Sequence, residues 1–430
     1  MFVEESLPAC PVGTFCFSGG LCSEFLNGKV CRASCVWIGL LRRTPGVPAE
    51  TIRVVIKNPE KPRSLPEQFF SVNPNDILNN PQIDVVVELI DDAEAAFSIV
   101  KSALQNGKAV VTANKKMVAE RLHELLDLQR ETGRPVLYEG ACCASIPIIR
   151  NLEEYYDNDM LRSVEGIFNG STNFILTRMV EQGRSLEDVL QEAQELGFAE
   201  TDPTLDIGGF DPRYKLAIIL FHAFGLLVDP DEILRFGIDR LNGFDLRFAR
   251  SRGLAIKLLA TCRKAGRRVE ARVIPTLVSD QDQLAVTRDE YNAVVLEGAF
   301  SERQVLTGKG AGAHPTGAAV LSDISALRYD YRYGNRRWKT AAPDLALKEA
   351  EFIRVYVRYS GTVRPDPRDF LQVSEEFHSR RGHYLVGTIS EEVLRKAAWS
   401  QDPEVAVLAY PSPERNQVKA VLKSRELVAV

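Results

Sequence analysis

Four carboxylates and a lysine crowd into one short segment. Residues 197–215 read GFAETDPTLDIGGFDPRYK, with Glu200, Asp202, Asp206 and Asp211 inside twelve residues and Lys215 four residues after Asp211. Asp211 followed by Pro212 predicts a helix start, with the aspartate as N-cap and the proline as first helical residue. Asp211 and Lys215 then sit near each other at the N-terminal end of that helix. The segment alone fits a solvated acidic loop with an i,i+4 ion pair equally well. Its setting favours a site. The loop is rich in Gly and Pro, and the helix it opens is apolar to about Leu227, so it must be buried. Charged groups at the mouth of a buried helix often line a site.

Four other segments carry chemistry. VVTANKK (Val110–Lys116) ends a strand at Thr112–Asn114, where open α/β sheets place their ligands, and Lys115 points into that crevice. An ordinary surface lysine at a strand–helix junction is the simpler reading of this segment alone. YEGACCASIPI (Tyr138–Ile148) is rich in small residues, which suits close backbone approach or a tight packed crossover. FNGSTNFIL (Phe168–Leu176) is a strand, turn and helix. Its turn, Gly170–Ser171–Thr172, offers backbone amides to a carboxylate. TGKGAGAHPTGAAVLSDI (Thr307–Ile324) contains Gly310 and Gly312 in a glycine loop, a common feature with little specificity.

The elements that must position these groups alternate β and α. Ile52–Lys57, Ile83–Leu89, Gly107–Thr112 and Val136–Glu139 read as strands, with helices over Asp92–Gln105 and Lys116–Thr132. Such alternation predicts a parallel, doubly wound sheet of Rossmann type. Arg162–Phe168 is a further strand, followed by a turn at Asn169–Thr172 and a helix to Glu181. Ser185 caps a helix that ends near Leu196, with Gly197 behind it. Segments 268–300 and 303–308 read as strands and turns. Phe352–Tyr359, His383–Ile389 and Val405–Tyr410 are three strands of a small α+β appendage. The expected fold class is α/β, a Rossmann-like domain joined to an α+β catalytic and dimerisation domain and that appendage. The expected boundaries are 1–147, 148–312, a return segment at 313–335, and 336–430.

Composition bounds the function. At 430 residues the chain exceeds one ordinary core. A net charge of −5 gives no basic field for nucleic acid. No apolar run approaches the ~18 residues of a membrane span. The acidic start lacks a signal-peptide pattern, so the expected compartment is the cytoplasm. Five of the eight cysteines fall in the first 35 residues without a C-x-x-C pair, which supports neither zinc nor a redox motif.

In order and spacing, the five segments resemble the homoserine dehydrogenase family over about residues 53–330. The resemblance implies interconversion of L-homoserine and L-aspartate 4-semialdehyde in threonine, methionine and isoleucine biosynthesis, by a homodimer. It implies that Lys115 and Lys215 are the catalytic lysines and that Glu200, Asp206 and Asp211 bind substrate. It also implies a monovalent-cation site at Glu139, Cys142, Ala144 and Ile146. The residue chemistry agrees. Homoserine is a zwitterion whose ammonium needs carboxylates and whose carboxylate can use the amides near Gly170–Thr172. A lysine beside the alcohol oxygen can stabilise the developing alkoxide and exchange its proton.

The nucleotide loop departs from the family. A Gly-rich turn is expected near residue 35, where the chain reads CRASCVWIGLLRRTPG and retains only Gly39. Residues 1–35 read as lacking a strand of the right type. A second reading is therefore a catalytically impaired homologue that acts as a binding or dimerisation partner. A dehydrogenase for a simple hydroxy acid is a third, and the clustered acids argue against it. The strand ending at Lys57 carries no acid at its end, and Lys61 and Arg63 follow closely. This favours NADP over NAD, with Glu60 as the residue that could reverse the preference.

Overall fold

The computed structural model describes residues 49–60, 66–158, 160–199, 201–334, 345–360, 362–380 and 382–410, together with a strand at 12–18, and side chains from Arg53 onward. Six strands form the first sheet: β1 (Val12–Ser18), β2 (Ala49–Ile56), β3 (Phe70–Ser71), β4 (Val85–Leu89), β5 (Ala109–Thr112) and β6 (Val136–Leu137). They pair in the order β3-β2-β1-β4-β5-β6, every pairing parallel. Strand order reverses between β1 and β4, and that switch point is where doubly wound sheets open a crevice at their carboxyl ends. Val85–Val87 and all of β5 are buried, as a sheet covered on both faces requires.

Local capping fixes the helices. Helix α1 (Ala93–Gln105) is capped by Asp92, whose side chain accepts from the Ala95 amide. Helix α2 (Lys115–Thr132) is capped by Asn114, which accepts from Met117, and it ends at Gly133 with φ 66°. Helix α3 (Ile148–Glu154) and β7 (Leu161–Ile167) lead to α4 (Gly170–Gln182), α5 (Leu186–Glu195) and α6 (Phe210–Phe224). Then come β8 (Leu234–Arg235), α7 (Gly243–Arg250), β9 (Leu254–Ala265), β10 (Arg268–Ser279), β11 (Tyr291–Gly298), β12 (Arg303–Lys309) and α8 (Ala313–Ala326). The final strands are β13 (Ala346–Leu347), β14 (Ile353–Tyr359), β15 (Phe370–Ser379), β16 (Gly382–Ile389) and β17 (Ala406–Ala409).

Two compact units interleave along the sequence. One holds residues 1–164, 214–232 and 294–345; the other holds 165–213, 233–293 and 346–430. The first contains the parallel sheet. In the second, β9 and β10 form a long antiparallel hairpin, and the strand order continues β10-β17-β14-β16-β15. Its core includes Phe236, Ile274, Val355, Val357, Leu385, Trp399 and Val407.

The structure corrects four expectations. Val12–Ser18 is a strand at the centre of the parallel sheet, so residues 1–35 do contain one. The Gly170–Thr172 turn is the first turn of α4 itself, with Asn169 as its cap. Asp211 lies inside α6 instead of capping it, because the helix already begins at Phe210. Strand β15, absent from the sequence reading, is an exposed edge strand whose polar residues hide its period.

A buried ion pair anchors β14 to α7. The Asp245 carboxylate is fully buried and accepts from Arg358 Nε at 3.0 and 3.1 Å, Tyr356 Oη at 2.9 Å and the Asn242 amide at 3.0 Å. Removing one partner of such a pair leaves the other charge buried without its complement. Arg358→Met is expected to destabilise this unit by about 3–5 kcal/mol, and Arg358→Met with Asp245→Leu by clearly less. Urea unfolding followed by tryptophan fluorescence measures both; equal midpoints for the single and double variants would refute the assignment.

Candidate active site

The acidic segment and the α4 turn are joined through one side chain. Asn169 ends the chain after β7 and caps α4, its Oδ1 accepting from the Thr172 amide at 2.7 Å. Its Nδ2 donates to Asp206 Oδ1 at 2.6 Å and to Asp211 Oδ2 at 2.9 Å. Ser171 Oγ donates to the Phe198 carbonyl at 2.5 Å, tying the same turn to the start of the acidic segment. Asp211 and Lys215 are 1% and 5% exposed, so this is no solvated surface pair. Asp202 stands apart: it is exposed and bonds its neighbour Thr204. Glu200 lies outside the described residues.

Carboxylates and helix-start amides are thus held together by one asparagine. The acids suit an ammonium. The first-turn amides of α4, at the positive end of its dipole, suit a carboxylate. Gly170 lets the turn approach the 287–291 segment, since a Cβ there would meet the Glu290 carbonyl at 2.6 Å.

At the carboxyl edge of the parallel sheet, Thr112 is buried, and its hydroxyl donates to Glu88 Oε2 at 2.5 Å. The Ile90 amide donates to the same carboxylate. Asn114 donates to the Ile90 carbonyl at 2.8 Å. Lys115 is the first residue of α2 and half-buried. Gly310 and Gly312 precede α8, which begins against this edge: a Cβ on Gly140 would meet Ala113 at 3.2 Å and Thr316 at 3.6 Å. Gly308 packs on Ser145 and Ile146, with Ser145 Oγ donating to the Lys309 carbonyl at 2.9 Å. Thr112 and Asn114 are thus buried in the edge's own hydrogen-bond network, with the start of α8 packed beside it. Lys57 follows the end of β2 and is exposed; Gly39 lies outside the described residues. Glu88 is the residue sequence reasoning passed over, visible only as the acid ending an apolar run. Burial holds its carboxyl up at about 7.

Among the expected cation ligands, Glu139 is buried and engaged by backbone amides. Glu139 Oε1 accepts from the Ile149 amide, and Oε2 from the Arg150 amide, both at 2.9 Å. Tyr333 Oη also donates to Oε2 at 3.0 Å. The Ile146 carbonyl receives the Ile148 amide at 2.8 Å. Glu139 thus acts as a buried cap for the start of α3. The described residues do not bring three His, Cys, Asp or Glu side chains together in a metal-holding group.

Comparison with known proteins agrees with this geometry. The family model described as homoserine dehydrogenase matches residues 147–325, and that described as homoserine dehydrogenase, NAD binding domain, matches residues 36–139. A homoserine dehydrogenase of Bacillus subtilis is 37% identical over 291 residues, 67% of each chain. The crystal structure of a homoserine dehydrogenase from Thiobacillus denitrificans matches with a TM-score of 0.75 at 28% identity, covering 94% of this chain and 99% of that one. A hyperthermophilic archaeal homoserine dehydrogenase in complex with NADPH matches with a TM-score of 0.62 at 25% identity, covering 75% and 99%. Among the described residues, no helix is long and apolar enough to cross a membrane.

Glu139 and Asp323 set a pH dependence of stability. Both are fully buried, and Tyr333 Oη lies within hydrogen-bond reach of each. Burial raises Glu139 from 4.5 to about 7 and Asp323 from 3.8 to about 6, with their mutual repulsion adding to the effect on Glu139. The folded state therefore holds these protons more tightly than the unfolded one. Their contribution is full below the unfolded carboxylate range and is lost as pH rises through about 6 to about 7. The amide in Glu139→Gln stands in for the protonated acid, so thermal melts of wild type and this variant should lie closest near about pH 5 and diverge toward about pH 8, with the wild type losing more stability. A difference that does not grow with pH contradicts this.

Proposed function

The chain belongs to the homoserine dehydrogenase family and interconverts L-homoserine and L-aspartate 4-semialdehyde; we propose the following division of labour among its residues. The observation that carries it is Asn169, which holds Asp206 and Asp211 against the capped start of α4. Asp206 and Asp211, with Glu200, receive the substrate ammonium. The amides of Gly170 and Ser171 receive its carboxylate, beside Thr172, whose own amide is held by Asn169. Together these fix both charged ends of the substrate and leave the alcohol as the reacting group.

Lys215 is the catalytic residue at the alcohol oxygen. On oxidation its amine takes the hydroxyl proton and stabilises the developing alkoxide; on reduction it returns the proton to the carbonyl oxygen. Asp211 lies four residues earlier on the same helix, α6. Lys115 is assigned as the second catalytic lysine. When bound, a nicotinamide dinucleotide supplies the hydride acceptor or donor. Thr112, Asn114 and Lys115 at the sheet edge, with Gly310 and Gly312, are the residues that would hold it. No described residue of the site supports the alternative of an impaired partner protein. We assign the active form as a homodimer.

Two outcomes test this reading. Lys215→Met should leave thermal stability and cofactor affinity near wild type while turnover falls by about a hundredfold or more. Steady-state rates in both directions measure this, and near-normal turnover would remove Lys215 from the chemistry.

The cofactor assignment is NADP(H). In the structure β2 stops at Ile56, so Lys57 and not Glu60 follows the strand end. A 2′-phosphate then meets a lysine where an NAD site presents an acid. Lys57→Ala should lower kcat/KM with NADPH by roughly tenfold and leave NADH little changed. A parent enzyme that prefers NADH sinks the assignment.

A further inference from the structure

We propose that Lys257 is a positioning residue for the substrate carboxylate, clamping the first turn of α4 onto the 287–291 segment so that the turn's amides converge on that carboxylate. The inference rests on the assignment of Gly170–Thr172 made above.

Lys257 lies on β9 and is 4% exposed. Its Nζ donates to Asn173 Oδ1 at 2.9 Å and to the Thr287 carbonyl at 2.6 Å. Asn173 is the fourth residue of α4, immediately after the carboxylate turn. Its Nδ2 lies 3.1 Å from the Thr287 carbonyl, 3.0 Å from that of Asp289 and 3.0 Å from that of Tyr291. Three carbonyls of one loop therefore converge on one amide nitrogen, and Lys257 holds the other end of that amide. At the start of the same turn, Gly170 has room only for hydrogen against the Glu290 carbonyl. The turn is thus moulded to the 287–291 loop at both its ends.

Packing alone does not call for a lysine here. A methionine would fill similar volume without bringing a charge out of water. Both hydrogen-bond acceptors of the ammonium are neutral oxygens. The charge also sits at the positive end of the α4 dipole, where a cation is unfavourable unless an anion is to be bound. Burial and Arg288 push the amine down to about 8, with Asp289 and Glu181 acting the other way. It therefore remains mostly protonated at neutral pH, available as a fixed positive charge behind the amides.

The test uses the full-length enzyme and two alcohols, L-homoserine and 3-aminopropan-1-ol, which lacks only the carboxylate. Lys257→Met should raise KM for homoserine by about tenfold or more, with kcat within about threefold. The kcat/KM for 3-aminopropan-1-ol and the cofactor affinity should stay at wild-type values, and Lys257→Arg should restore part of the loss. Gly170→Ala tests the turn independently of Lys257. If Gly170→Ala raises KM for homoserine and Lys257→Met does not, the turn assignment holds and the role of Lys257 is overturned. If neither variant alters the preference for homoserine over the amino alcohol, the turn assignment fails and takes the inference with it. Equal losses on both substrates in Lys257→Met and Lys257→Arg assign a structural role and overturn it as well.

Discussion

The hydrogen bonds of Asn169 decide what the second unit can do. One planar amide accepts from a helix-start amide and donates to two carboxylates more than thirty residues further along the chain. Without it, two partly or fully buried aspartates would repel each other beside a helix end that lacked its cap. With it, negative side chains and positive backbone ends lie a few ångströms apart, held by one amide. That is the charge pattern of an amino acid, inverted. A simple hydroxy acid presents only half of that pattern, which is why the acids matter more to the reading than the glycine loops.

The first unit depends on an analogous knot. Glu139 caps α3 with one oxygen each to Ile149 and Arg150, donates its own amide to Asp323 at 2.8 Å, and shares Tyr333 with that aspartate. Arg150 reaches Asp323 at 3.0 Å and completes the charge balance. His222 and Tyr138 extend the buried polar chain at 3.1 Å, and Gln129 fixes the Tyr333 backbone at 3.0 Å. Partly satisfied, such a network would be worse than an apolar core; fully connected, it specifies one arrangement of four chain segments.

Period and capping made most elements legible. The strands at β2, β4, β5, β7, β14, β16 and β17 were readable because each is an apolar or β-branched run bounded by polar or turn residues. Ser185 and Gly197 marked the α5 limits by chemistry alone. The misses have physical causes. β15 faces solvent over most of its length, so its residues carry no burial period. The strand at Val12–Ser18 contains Gly13 and stands between Pro11 and the Gly19–Gly20 pair, company that reads as a turn. Residue types, spacing and the family resemblance singled out the acids and both lysines as candidates. Asn169, Glu88 and Lys257 were silent, because their roles come from partners distant in sequence. The family resemblance implied a cation ligand at Glu139; the two amides that point at it come from α3 and were not legible in the sequence.

The wide sequence separation of the Glu139 knot carries a consequence for synthesis. Tyr333 and Glu139 are 194 residues apart, and Gln129 and Tyr333 are 204 apart. At translation rates of about 5–20 residues per second, the strand end bearing Glu139 leaves the ribosome roughly 10–40 s before the tyrosine that completes its shell. During that interval a carboxylate destined for a dry interior must remain wet. The parallel sheet therefore cannot close over its carboxyl edge until most of the chain has been made. The nucleotide-binding half begins first and is finished late, its final lock supplied by a segment translated after nearly all of the substrate-binding residues.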